Sequence, residues 1–146
     1  MIDIEVPLFN QVYEAVQAEY PNVRVLNDRP LSIAKFPCVV CVEDDNTTYS
    51  RSRDITTKES FAEIMWTVDV YCDNKSGAKT LCKKIASLVD EVFIGLRFTR
   101  MMLSPMPNQD PQIIRYTGRY RAVVAAPIVT ERAGELPDKE YYLYRR

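Results

Sequence analysis

The run from Phe61 to Ile128 constrains the fold more than any other part of this chain. Between Glu63 and Cys72 the residues alternate. Ile64, Trp66, Val68, Val70 and Cys72 point one way; Glu63, Met65, Thr67, Asp69 and Tyr71 point the other. That period is a strand with one buried face and one face that is only partly wet. Asp73-Asn-Lys-Ser-Gly77 breaks the pattern, and a helical period replaces it. Ala78, Leu81, Cys82, Ile85, Leu88, Val89, Val92 and Phe93 make a broad apolar stripe, with Lys79, Lys83, Lys84, Asp90 and Glu91 mostly off it. Ser76 is the expected N-cap and Gly95 the expected C-cap. Two extended segments follow, Leu96 to Met102 and Ile113 to Val129. The prolines between Pro105 and Pro111 place an irregular loop between them. In the longer segment Ile114, Tyr116, Gly118, Tyr120, Ala122 and Val124 share a face, and Gly118 marks a bulge or a close backbone approach.

Upstream, Leu8, Phe9, Val12, Val16 and Tyr20 recur at helical spacing, so a helix is expected over Ile4 to Glu19, ended by Pro21. Val23 to Leu26 reads as a short strand, and Phe36 to Glu43 as an apolar strand central in a sheet. Asp44-Asp-Asn46 has turn chemistry. Thr47 to Thr57 is polar and rich in hydroxyls, as an exposed strand or long arm would be. The expected fold class is α+β over residues 1–132. A mixed, mostly antiparallel sheet is packed by two helices, approximately 4–19 and 76–94, and carries a long polar β-hairpin arm. Residues 133–146 form a tail. Its Tyr141, Tyr142 and Tyr144 are too apolar to stand free, so it folds back on its own domain or docks on a neighbour.

Composition excludes several chemistries. The chain has 146 residues and no histidine, which removes Ser-His-Asp and Cys-His pairs and imidazole metal ligation. A net charge of −1 offers no basic excess to hold nucleic acid. No apolar run approaches the ~20 residues that span a bilayer, and the acidic start lacks the basic lead of a signal peptide, so synthesis in the cytosol and no membrane partner are expected. Cys38 and Cys41 have C-x-x-C spacing, but inside a strand their sulfurs face opposite sides. With Cys72 and Cys82 they read as small buried hydrophobes, against zinc or redox roles. The acidic groups Glu43-Asp44-Asp45 and Asp90-Glu91 come with no base, nucleophile or phosphate loop. No enzyme activity, metal or cofactor is expected.

Arg115, Arg119 and Arg121 form a basic stripe on one strand face, with Arg97 and Arg100 on the strand before. The stripe either meets a neighbouring subunit or DNA, or lies as a wet face balanced by Asp69 and Glu63 through cross-strand pairing. Subunit salt bridges or the plain wet face are the preferred readings, given the net charge.

Trp66-Thr-Val-Asp-Val-Tyr-Cys72, then Asn74-Lys-Ser-Gly-Ala78 and the helix Leu81 to Phe93, together with Arg115-Tyr-Thr-Gly-Arg-Tyr-Arg121, carry a resemblance. Over residues 6–130 the chain resembles the tail terminator (tail completion) proteins of long-tailed bacteriophages, including sequences labelled minor capsid proteins in prophages of Gram-positive bacteria. The likeness is one of pattern and element order. It implies a structural virion protein of the tail or neck, assembled in the host cytoplasm. Copies would form a homohexameric ring that caps the tail tube, ends its elongation and joins it to the head-tail connector, while DNA passes transiently through the lumen. On this reading Thr47, Thr48, Tyr49, Arg51 and Arg53 form the arm that touches the major tail tube protein. Arg97, Arg100, Arg115, Arg119 and Arg121 line a subunit interface or the lumen. Tyr141, Tyr142 and Tyr144 dock the tail. The alternatives are another neck component, such as a head-closure or adaptor protein, and a metal-dependent enzyme built on Glu43, Asp44 and Asp45.

Overall fold

A computed structural model describes residues 1–52, 59–126 and 143–144. The order is α1 (Glu5–Glu19), β1 (Arg24–Leu26), β2 (Cys38–Thr48), a 3-10 turn (Ser50–Ser52), β3 (Phe61–Asp73), α2 (Ala78–Gly95), β4 (Thr99–Met106), β5 (Ile113–Ala125) and β6 (Leu143–Tyr144). The fold is α+β, as the sequence pattern implies. The sheet order is β1-β2-β3-β5-β4, with β6 added to β5. Among the described strands β1 and β2 run parallel and the other pairs are antiparallel.

The alternation in β3 sets the layers. Ala62, Ile64, Trp66, Val68, Val70 and Cys72 are all buried in one core with Leu8, Val12 and Val16 of α1 and Cys82, Ile85, Val89 and Phe93 of α2. Both helices therefore cover the same sheet face. The aromatic centre is Phe93. It stacks on Tyr120 at 4.3 Å, meets Phe98 edge-on at 5.3 Å and lies 6.2 Å from Trp66. Tyr120 can reach that stack because Gly118, on the same face of β5, has no side chain. A Cβ there would lie 2.9 Å from the Tyr120 ring. The glycine is a close approach, not a bulge.

Four local expectations are corrected. Gly77, with φ 78°, precedes α2 in place of a Ser76 cap; the left-handed backbone there favours glycine. At the other end the left-handed residue is Arg97, φ 65°, not Gly95. Arg97 N–H donates to Ile94 O at 3.0 Å and Phe98 N–H to Phe93 O at 2.9 Å, the two bonds of a Schellman ending. The Phe93–Phe98 contact is the apolar clasp that accompanies this ending, and it decides which residue takes the turn. Asp44-Asp-Asn46 is not a turn: β2 runs through it with a bulge between Glu43 and Asp45. Pro105 and Met106 lie in β4 rather than a loop, because an edge strand can turn proline's missing donor outward.

Candidate assembly surface

The second sheet face carries no helix among the described residues, and polar side chains organise it. Asp69 in mid-β3 is 4% exposed. It accepts from Arg115 Nε at 2.9 Å and Thr117 Oγ1 at 2.5 Å. The Arg115 guanidinium also lies 5.6 Å from the Tyr71 ring centroid. Burial, then the Asp69 charge, raises the Tyr71 hydroxyl above its ordinary range. One end of this ladder is repeated by Arg121, whose Nη2 meets Glu63 Oε2 at 2.8 Å. In register Arg115 lies opposite Tyr71 and Arg121 opposite Met65, so each arginine reaches diagonally to the carboxylate two residues away on β3. The balance by Asp69 and Glu63 expected from the sequence is therefore present. Arg119, between them, is exposed and makes no ion pair with a described residue. A second network closes the β2 side. Arg29 meets Asp44 Oδ1 at 2.5 Å, and Thr67 Oγ1 donates to Asp44 Oδ2.

The five arginines do not form one stripe. Arg97 lies in the turn before β4, exposed. Arg100 is opposite Tyr120, so it belongs to the helix-covered face. Its Nη1 binds Asp90 Oδ2 at 2.8 Å, while Tyr120 OH donates to Asp90 Oδ1 at 3.0 Å. This bracket ties α2 to β4 and β5. Burial, reinforced by Asp90, pushes the Tyr120 hydroxyl well above the usual tyrosine range. The physical reason for the split is the alternation of β4, which begins only at Thr99 and bulges between Arg100 and Met102.

Beside Arg119, β4 is an end strand of the sheet. Its outer edge has no strand partner among the described residues, and Met101 (55% exposed) and Met106 (38%) stand out along it. Such an edge can accept a strand or an apolar side chain from another chain.

Where it is described, the expected arm leaves the sheet after Thr48 and passes into the 3-10 turn. Thr47 pairs with Glu63 and Thr48 with Ala62 as the last rungs of β2, and Thr48 Oγ1 donates to Glu59 Oε1 at 3.1 Å. Tyr49 N–H donates to Phe61 O at 3.0 Å, and Arg51 sits in the 3-10 turn. Arg53, Tyr141 and Tyr142 lie outside the described residues. Tyr144 pairs with Val123 in the backbone ladder.

The four cysteines are free and buried. Burial raises the Cys41 thiol far above its ordinary value. The Cys72 thiol is raised by its hydrogen bond to Cys82 and then by burial. Among the described residues no three His, Cys, Asp or Glu side chains converge as a metal set. The bulge separates the acidic trio: Asp44 turns to Arg29 and Thr67, while Glu43 faces Asn46. A cleft of about 260 Å³ lies between Phe36, Pro37, Leu81 and the Lys75-Ser76-Gly77 turn, with Lys75 held by Asp73 at 3.3 Å. No described helix is long and apolar enough to cross a membrane. The Arg29–Asp44–Thr67 network has no sequence signature of its own, because its members are far apart in the chain. The one signal was a pair of polar residues, Thr67 and Asp69, at the centre of an otherwise apolar strand.

No protein-family model matches the chain, and no curated protein matches it. Among solved structures it is similar to the sheath/tube terminator of PVC, an extracellular contractile injection system, in the extended state. The TM-score is 0.37 and the identity 12%, over 96% of this chain. The chain spans 65% of the length of that protein.

Proposed function

We propose that this chain is a structural subunit that joins copies of itself in a ring at the end of a tail tube, stops the tube growing and links it to a head connector. The observation that carries this reading is the one-sided sheet. All described helices lie on one face, and among the described residues β4 leaves an edge without a strand partner, with Met101 and Met106 exposed and with Arg119, opposite Met102, in no ion pair. A closed ring requires two different surfaces that meet head to tail. The β4 edge supplies one. The polar turn at the β2–β3 end, with Thr47, Thr48, Tyr49 and Arg51, is the natural contact for the tube. Arg115 and Arg121 are already neutralised by Asp69 and Glu63, which suits a surface past which DNA slides without being held. The partners on this reading are further copies, a major tail tube protein and a connector. The site of action is the virion.

Light scattering and electron microscopy of the purified protein test the proposal. A mass of six copies and ring-shaped particles support it; a twelve-copy mass favours another neck component. Arg119→Glu and Met101→Asp change exposed positions, so they should leave the melting temperature unchanged and abolish the ring. A single-copy mass at every concentration, with no binding to tail tubes, overturns it.

A further inference from the structure

Three buried polar atoms have no hydrogen-bond partner among the described residues: Glu43 Oε2, Asn46 Oδ1 and Trp66 Nε1. They belong together. Glu43 and Trp66 are directly opposite in the β2–β3 ladder, and Asn46 follows the bulge. The orientation of the Asn46 amide is fixed, because its Nδ2 donates to the carbonyl of Ile2 at 2.8 Å, and a carbonyl only accepts. The same Nδ2 donates to Glu43 Oε1 at 3.3 Å. Two acceptors, Glu43 Oε2 and Asn46 Oδ1, are then left with no donor among the described residues, and the indole N–H has no acceptor within reach. One proton is missing from the count.

We propose that Glu43 is held as a neutral carboxylic acid in the folded protein, its Oε2–H donating to Asn46 Oδ1 to complete a two-point acid–amide pair, and that this pair is a proton-operated clasp fastening the N-terminal segment to the β2 bulge. The added proton balances the count. A single hydrogen carried by Glu43 Oε2 and received by Asn46 Oδ1 serves both of these atoms. The clasp holds something of structural weight, since Ile2 and Ile4 are both buried in the core.

The surroundings point the same way. Burial raises the affinity of Glu43 for a proton; the Asn46 hydrogen bond opposes this, and Glu5, Asp3 and Asp45 reinforce it. From the N-terminal segment and α1 the facing charges are Asp3 and Glu5, and from β2 itself Asp45. From β3 the facing group is the uncharged Trp66, while Glu63 is occupied by Arg121. Asp44 is occupied by Arg29, and Glu59 by the terminal amine at 3.5 Å. A carboxyl that binds its proton more tightly when folded contributes stability that is complete below the unfolded-state value. That contribution is lost as pH rises through the folded-state value. The clasp is closed in acid and loosens as pH rises through that raised value.

Glu43→Gln imitates the closed form at every pH, because the new amide can donate where the carboxyl hydrogen did. Thermal melting of the wild type and Glu43→Gln, followed by emission of Trp66, the single tryptophan, from about pH 4 to about pH 8 isolates this group from all other carboxylates. The two proteins should melt together at the acid end. The wild type should fall about 2–4 °C below the variant at the neutral end, the loss of roughly one hydrogen bond. A gap that does not change with pH, or a variant that is the less stable protein at neutrality, overturns the proposal. A carbon NMR titration of the wild-type carboxyls supplies a reading that needs no variant: Glu43 must titrate above the other glutamates, and a Glu43 that titrates with them overturns the proposal.

Discussion

Gly118→Ala should destabilise the protein, although alanine is ordinarily the better strand residue. The new Cβ would lie 2.9 Å from Tyr120 Cε2 and Oη and 3.1 Å from Cζ. Carbon contacts are comfortable at ~3.5–4.0 Å, so the ring must retreat by roughly 0.6–1 Å. It is held from both sides. It stacks on Phe93 at 4.3 Å with planes 11° apart, and its hydroxyl is 3.0 Å from Asp90 Oδ1. A retreat of that size stretches the hydrogen bond past its useful range. Losing a bond to a charged acceptor costs about 1.5–3 kcal/mol, and a weakened stack costs up to ~1 kcal/mol more. Against this, alanine gains ~0.5–1 kcal/mol over glycine by restricting the unfolded chain. The net loss is roughly 1–3 kcal/mol. Urea unfolding followed by Trp66 emission measures it. The decisive comparison is a cycle with Tyr120→Leu, which removes the ring atoms that clash. In that background Gly118→Ala should change sign and stabilise by ~0.5 kcal/mol. Equal effects in both backgrounds would mean that the ring does not lean on the glycine, and the reasoning fails.

Arg97→Gly should raise stability by ~0.5–1 kcal/mol in the same urea assay, since a left-handed residue with a side chain gives way to one without. If Arg97 also contacts a neighbouring subunit, the stabilised variant should assemble less well by light scattering. Arg115→Met leaves buried Asp69 with Thr117 as its remaining partner and should cost about 2 kcal/mol, discounted for the partial exposure of the arginine. Adding Asp69→Asn should recover part of that loss, and no recovery would show that the charge is not what matters. Cys41 should resist alkylation in the native protein at mildly alkaline pH and react once urea unfolds it; peptide mass mapping that finds native Cys41 labelled refutes its burial as the cause.

The two layers were legible because α2 and β3 each bury one face, and burial imposes a period that composition cannot disguise. The stripe from Ala78 to Phe93 and the alternation from Ile64 to Cys72 both reappear as core. What stayed hidden depends on partners distant in the chain. Asp44-Asp-Asn46 has the local chemistry of a turn, yet Arg29 and Thr67 hold Asp44, and Ile2 holds Asn46, so the strand continues through a bulge. Gly95 is the obvious helix stop by composition, but the contact of Phe98 with Phe93 moves the left-handed turn onto Arg97. The candidate surface divides in the same way. Arg115 and Arg121 could be paired with Asp69 and Glu63 from strand alternation alone. The opposite facing of Arg100 needed the register of β4, which no local signal sets.

Strand β5 is longer than its neighbour β4. The ladder with β4 ends at Arg121, and the next stretch of the same edge, Val123 and Val124, is taken by Leu143 and Tyr144. One lane of the sheet is thus shared end to end by two separate pieces of chain. A substitution that displaces Leu143 and Tyr144 from this lane would lengthen the open margin of β5 beyond the end of β4. An assembly that closes on that margin would then change its copy number without any change in β4 itself.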